Sequence, residues 1–151
     1  MSKRPAIVLF AYSEVGNVCL EELLKDGANV AAVYTHEDDP NEEIWFRSVR
    51  NIADENNIPV RMPSKITESD IAEIRSFSPE LIFSFYYRAM IPKEVLDIPR
   101  IGSYSIHGAL LPKYRGRACV NWAVINGESK TGATLHVMTE FADKGAIAAQ
   151  K

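Results

Sequence analysis

Cysteine is scarce in this 151-residue chain: Cys19 and Cys119 stand far apart and without metal-ligand spacing. That argues against a disulfide scaffold and fits a reduced, cytoplasmic protein. A basic surplus is lacking too, because 17 Lys and Arg stand against 20 Asp and Glu, for a net charge of -3 with no basic tract. The electrostatic footprint of a nucleic-acid binder is missing, and a small-molecule partner is expected instead. No apolar run approaches the ~20 residues of a membrane span, and the run after Pro5 is too short for a signal peptide. Nothing repeats or degenerates into low complexity, so one soluble globular domain is expected.

Two phosphate-binding signatures are also absent. A dinucleotide site needs G-x-G-x-x-G after the first strand, where backbone must approach a pyrophosphate closely. Here that turn reads Y-S-E-V-G-N, Tyr12 to Asn17, with one glycine, and no G-x-x-x-x-G-K-[ST] occurs anywhere. No His/Cys cluster supports a metal.

What is present is an alternation of strand and helix patterns. Ala6 to Tyr12 is a nearly continuous apolar run, which suits a strand buried on both faces. Ser13 offers an N-cap, and Val15, Val18, Cys19 and Leu23 recur at helical spacing up to a stop at Gly27. Strands are then expected at Val30–Tyr34, near Val60, and at Leu81–Tyr86, Ser103–His107 and Ala133–Met138. Helices are expected at Ile44–Glu55, Ser69–Phe77, Pro92–Leu96 and Val120–Ile125. This alternation predicts an α/β fold, doubly wound, with a mostly parallel Rossmann-like sheet and right-handed crossovers. Ligands of such sheets sit beyond the carboxyl ends of the strands.

The segment Ser105 to Trp122 reads S-I-H-G-A-L-L-P-K-Y-R-G-R-A-C-V-N-W, a strand ending on a histidine and running into a Gly-, Pro- and Arg-rich loop. A histidine side chain can hold or release a proton near neutral pH, and Ser105, two residues before His107, shares its face of the strand. Arg115 and Arg117 flank Gly116, and guanidinium forks suit carboxylates or phosphates; equally, two exposed arginines simply solvate a loop. Asp143, in F-A-D-K-G-A-I, falls just beyond another strand, although a lone Asp before Gly is ordinary turn chemistry. His36 reads as a loop residue and His136 as a satisfied strand histidine. A blander reading treats Tyr86, Tyr87, Trp122 and His107 as core or rim residues of a generic α/β domain.

Four motifs together carry a more specific resemblance. F-S-F-Y-Y-R (Phe83 to Arg88), H-G-A-L-L-P-K-Y-R-G-R (His107 to Arg117), N-G-E-S-K-T-G-A-T-L-H-V-M (Asn126 to Met138) and A-D-K-G-A-I (Ala142 to Ile147) follow one another in order. Along almost its whole length the chain resembles the folate-dependent formyltransferases, nearest to those acting on UDP-4-amino-4-deoxy-L-arabinose. Methionyl-tRNA and glycinamide ribonucleotide formyltransferases share parts of the pattern, while the extension Y-R-G-R-A-x-x-N-W favours the sugar enzymes.

The resemblance implies the formyltransferase fold, with residues 1–151 as its N-terminal catalytic domain, C-terminally truncated relative to the family. It implies a 10-formyltetrahydrofolate donor, no metal, a nucleotide-sugar acceptor and a homo-oligomer as one possible assembly. His107 would be the acid-base histidine and Asp143 the carboxylate that favours its charged form. The donor would meet Ala89, Met90, Ile91, Arg117 and the loop Thr139, Glu140, Phe141, Ala142, Asp143. Tyr114, Arg115 and Gly116 would face the acceptor.

Three positions depart from the family pattern. Ser105 stands where the family has an asparagine that donates to the developing oxyanion, and a serine is shorter. Cys119 replaces a proline, which leaves the loop backbone less constrained. Lys151 falls inside a strand that the family continues, so an unfinished sheet edge is expected. A non-catalytic folate- or nucleotide-binding relic is therefore the competing reading.

Overall fold

The computed structural model describes residues 3–151. Strand β1 (Ala6–Ala11) forms because its six residues A-I-V-L-F-A have no side chain that needs water, and five of them are buried. It lies near the middle of a seven-stranded sheet whose order is β3 (Val60–Arg61), β2 (Asn29–Tyr34), β1, β4 (Leu81–Phe85), β5 (Gly102–His107), β6 (Thr134–Val137), β7 (Ile147–Gln150). The strands β1 to β5 are linked by parallel pairings. β6 and β7 add on antiparallel. The expected fold class, α/β and mostly parallel, is what forms.

Helices cover both faces of this sheet. α1 (Ser13–Lys25) places Leu20 in the core with Leu23 and Leu24 packed beside it, and ends where Gly27 adopts φ +70°. Left-handed backbone of that kind favours glycine, and the Gly27 and Ala28 amides close the helix on the Leu24 and Leu23 carbonyls. α2 (Val49–Glu55), α3 (Glu68–Ser76), α4 (Lys93–Leu96) and α5 (Cys119–Ile125) complete the set. Thr67 and Asp70 form a reciprocal capping box at the start of α3, satisfying two otherwise orphaned amides.

The core divides into one apolar cluster on each side of the sheet. Val8, Phe10, Tyr34, Ile74, Ile82 and Val95 form one; Leu9, Leu20, Val33, Val49, Ile58 and Phe85 form the other. Each large aliphatic group so buried contributes about 1.5–3 kcal/mol. The alternation of Val8 and Phe10 with Leu9 and Ala11 between the clusters is the strand period of two.

Two boundaries correct the sequence reading. Ser13 is not an N-cap: it is the first residue of α1, at φ +60°, while Tyr12 occupies the cap position without a side-chain bond to the helix. The Tyr12 amide still donates to the Phe85 carbonyl as a last sheet bond, and Ser13 at its positive φ turns the chain directly into the helix. The helix expected from Ile44 begins only at Val49, because Ser48 caps it by accepting from the Asn51 amide. Ahead of it Arg47 is tied to Glu14 and Glu21 of α1, which draws that segment onto α1.

Among the described residues no helix is long and apolar enough to cross a membrane. β7 forms the outer edge of the sheet with all four residues exposed.

Candidate active site

The sheet order changes direction between β1 and β4, and the polar cluster lies at the carboxyl ends of the neighbouring strands β4 and β5. Ser103, Ser105 and His107 alternate along β5 and so share one face, as the strand period requires. The Ser103 hydroxyl donates to the Leu96 carbonyl at 2.8 Å, which locks β5 to α4. Ser105 pairs with Ser84 of β4 on one side and with His136 of β6 on the other. A polar row, Ser84–Ser105–His136, therefore crosses three strands.

That row lines a recess of about 190 Å³ whose apolar walls come from Tyr87, Met90, Ile91, Leu96, Met138 and Phe141. Through Ser84, Tyr87, Ala89, Met90, Ser105, Ala142 and Asp143 it continues into a cleft of about 780 Å³ lined also by His107, Gly116 and Arg117. A largely apolar recess with a few polar groups, continuous with a larger cleft that carries Arg117 and Asp143, suits a flat heteroaromatic ligand with a charged tail.

His107 and Asp143 meet at the mouth of this recess. His107 Nδ1 lies 3.5 Å from Asp143 Oδ1, and His107 Nε2 lies 2.6 Å from the Tyr114 carbonyl oxygen. Both ring nitrogens thus face oxygen acceptors, so an imidazolium donates from both and a neutral ring from only one. The other carboxylate oxygen, Oδ2, accepts from the Gly116 amide at 2.8 Å. Asp143 holds φ +54°, a conformation short polar side chains tolerate best. Its loop is pressed against β6, because a Cβ at Gly145 would stand 1.7 Å from the Val137 carbonyl oxygen. Only glycine permits that approach.

His136 overturns one expectation. It is 3% exposed and its Nδ1 lies 3.0 Å from the Val137 oxygen, but Nε2 forms no hydrogen bond among the described residues. Instead Nε2 stands 3.5 Å from Asp143 Oδ1, so the carboxylate is flanked by two imidazoles. A strand histidine opposite Ser105 reaches this place only through antiparallel pairing, which no motif announced.

Other expected site residues divide. Ala89, Met90, Ile91, Thr139, Phe141 and Ala142 line the recess, and Arg117 lines the cleft. Glu140 is exposed and lines neither cavity. Arg115 donates from Nε to the Asp143 carbonyl oxygen at 3.1 Å and so braces the carboxylate loop. Tyr114 turns its hydroxyl outward to Glu128, leaving its carbonyl to His107. Ser84 was missed by sequence reasoning, although a polar residue inside the apolar strand L-I-F-S-F was a readable signal.

A family profile described as formyl transferase matches residues 4–151. The chain belongs to the formyl transferase family. Its class is that of the folate-dependent N-formyltransferases, enzymes whose formyl donor is a folate derivative.

Solved structures agree on the formyltransferase fold. Glycinamide ribonucleotide transformylase 1 from Geobacillus kaustophilus is similar at TM-score 0.77 and 26% identity, over 99% of this chain and 82% of its own. Phosphoribosylglycinamide formyltransferase from Streptococcus pneumoniae TIGR4 gives TM-score 0.76 at 18% identity, over 97% of this chain and 81% of that one. A formyltetrahydrofolate deformylase from Pseudomonas syringae pv. tomato gives 0.78 at 22% identity; this chain covers 51% of it and 99% of itself is matched. Among the described residues of this formyltransferase, no group of three or more His, Cys, Asp or Glu is arranged to hold a metal ion.

Proposed function

We propose that the chain transfers a formyl group from 10-formyltetrahydrofolate to the primary amine of a nucleotide-linked amino sugar, of the UDP-4-amino-4-deoxy-L-arabinose type. The observation that carries this reading is the meeting of His107 and Asp143 at the junction of a smaller apolar recess and a larger cleft. Residues 1–151 would act as the N-terminal catalytic domain, in a reducing compartment that suits the two free thiols Cys19 and Cys119.

The recess suits the donor's ring system: Tyr87, Ile91, Leu96 and Met138 supply apolar walls, and Ser84, Ser105 and buried His136 supply polar groups among them. When bound there, the donor supplies an activated formyl carbon on a nitrogen leaving group. His107 donates a proton or hydrogen bond to the negative charge that grows on the formyl oxygen. Asp143, directly or through water, takes the surplus proton of the attacking amine as the new carbon–nitrogen bond forms and the old one breaks. A proton is returned to the departing nitrogen, so protons balance. Gly116, through its amide, and Arg115, through the loop carbonyl, hold Asp143 for that exchange. Arg117 faces the cleft as a cation for a phosphate-bearing acceptor or an anionic donor tail.

The acceptor is read from the Y-R-G-R-A-x-x-N-W segment, Tyr114 to Trp122, which resembles the sugar enzymes. A net charge of -3 weighs against methionyl-tRNA as the acceptor. Ser105 supports a second reading, a folate-binding relic, since its hydroxyl is shorter than an asparagine amide at the oxyanion.

The test is formyl transfer from 10-formyltetrahydrofolate to UDP-4-amino-4-deoxy-L-arabinose by the chain, its Ser105→Asn variant and a His107→Ala control. Turnover that rises in the asparagine variant, by up to about 10²-fold, and vanishes in the control supports the enzyme. Folate binding without turnover in any form supports the relic.

A further inference from the structure

We propose that His36 is a positioning residue: it holds the wall of the recess by accepting a hydrogen bond from the Arg88 amide while its ring stacks on Tyr87. The inference rests on the reading that this recess takes the folate donor.

His36 lies just beyond β2, across the sheet edge from the Asp143 cluster, and lines a separate cavity of about 540 Å³. The wall in question follows β4, where Tyr86 at φ +59° turns the chain out of the sheet into the irregular segment that carries Tyr87, Ala89, Met90 and Ile91. Among the described residues, one hydrogen bond ties the backbone of residues 87–91 to the rest of the fold. It runs from the Arg88 N–H to His36 Nε2, at 3.0 Å. The two rings reinforce it, with His36 and Tyr87 stacked at 4.1 Å and 20°.

The chemistry of the contact demands one protonation state. Nε2 accepts, so the ring is neutral with its proton on Nδ1; an imidazolium has no lone pair to offer. Burial and the Arg88 cation both push the His36 imidazole below its ordinary value, which keeps the acceptor available. The groups packed around it are accounted for. The Arg88 guanidinium is shared between Glu42, at 2.8 Å, and the face of the Tyr12 ring, at 4.7 Å. The Tyr12 hydroxyl donates to Asp38 at 2.8 Å, and Glu37 continues the His36 loop. Tyr12 also meets the His36 ring edge-on. No carboxylate in this set bonds to the ring, so acidification converts an acceptor into a cation facing an N–H and frees the wall.

Two variants separate the bond from the stack. His36→Phe keeps an aromatic face for Tyr87 and removes the acceptor, whereas His36→Gln supplies an amide oxygen near the Nε2 position. Amide hydrogen exchange is followed at Arg88, with Val8 and Ile82 as internal reporters of an intact core. 5-Formyltetrahydrofolate affinity is measured by calorimetry between pH 7.5 and 5.5. In His36→Phe, Arg88 exchange and folate Kd both rise about three- to tenfold, kcat at saturating donor stays within about twofold, and His36→Gln recovers part of the loss. In the unaltered protein folate Kd rises on acidification, and in His36→Phe that rise is blunted.

Unchanged Arg88 exchange in His36→Phe, or a folate Kd of the unaltered protein that ignores pH, overturns the proposal. If the unaltered protein binds no folate but Arg88 protection still depends on His36, the tether stands and the proposed function fails.

Discussion

Strands β1, β2 and β4 bury Val8, Leu9, Phe10, Val33 and Ile82, whereas β5 and β6 bury Ser103, His107, Thr134 and His136. Every buried member of both apolar clusters lies at or before Val95. Beyond Gly102 the larger apolar groups are often outside, as with Trp122, Val124, Ile125 and Ile147. Apolar burial is favourable wherever it occurs, while a buried polar group destabilises the fold unless it is bonded. The first region therefore supplies stability, and the second spends part of it to hold imidazoles and hydroxyls out of water. Structure and chemistry are separable here along the chain, so substitutions in the two regions have different signatures.

The sharpest break of that comparison is Asp143→Asn. Asparagine tolerates the left-handed backbone and keeps an oxygen for the Gly116 amide, but takes no proton from an amine. Transfer falls by about 10²–10⁴-fold, while the thermal midpoint hardly moves. A large drop in midpoint would merge the two regions.

Gly145→Ala follows. Its Cβ cannot share space with the Val137 carbonyl, so the Asp143 loop shifts away from His107. Transfer falls by about 10²-fold, with little change in the protection of β1 amides by hydrogen exchange.

Leu9→Ala has the opposite profile. It opens a cavity in a fully buried cluster and costs about 2–5 kcal/mol in denaturant unfolding, with per-molecule activity retained. Val124→Ser, on the exposed face of α5, changes stability by no more than about 0.5 kcal/mol.

Acid sharpens the contrast in a graded way. The unfolded chain protonates His36 near the ordinary value of about 6.5, but the folded chain resists that proton. Stability is therefore lost as pH falls below that value toward the depressed one. Glu73, held low by its bond to Arg61, adds a contribution that is present above the usual carboxylate value and lost as pH falls through its depressed one. Unfolding curves against pH show both steps, and His36→Phe removes only the first.

Much of the first region was legible because its signals are local. The apolar run at Ala6, the helical spacing from Val15 to Leu23 and the glycine stop at Gly27 all act within one element. The errors fell where one contact competes with another: Ser48 took the cap of α2, and Arg47, pulled onto α1, left the expected first turn unwound. In the second region the motif loop pointed to His107, Asp143 and Gly116. It did not reveal that Arg115 braces the carboxylate or that Glu140 faces solvent.

By itself the sequence determined the fold class, because strand period and residue chemistry are properties of short segments, and its resemblance to a family named His107, Asp143 and Ser105 as candidates. Only the tertiary structure decided that His136 flanks the same carboxylate as His107, that Ser84 completes the polar row, and that His36 holds the Arg88 amide. Those depend on parallel register between β4 and β5, on antiparallel register between β5 and β6, and on loops meeting beyond the carboxyl ends of β2 and β4. Such pairings join residues far apart in the chain, and their free energy is realised only when the whole sheet has closed.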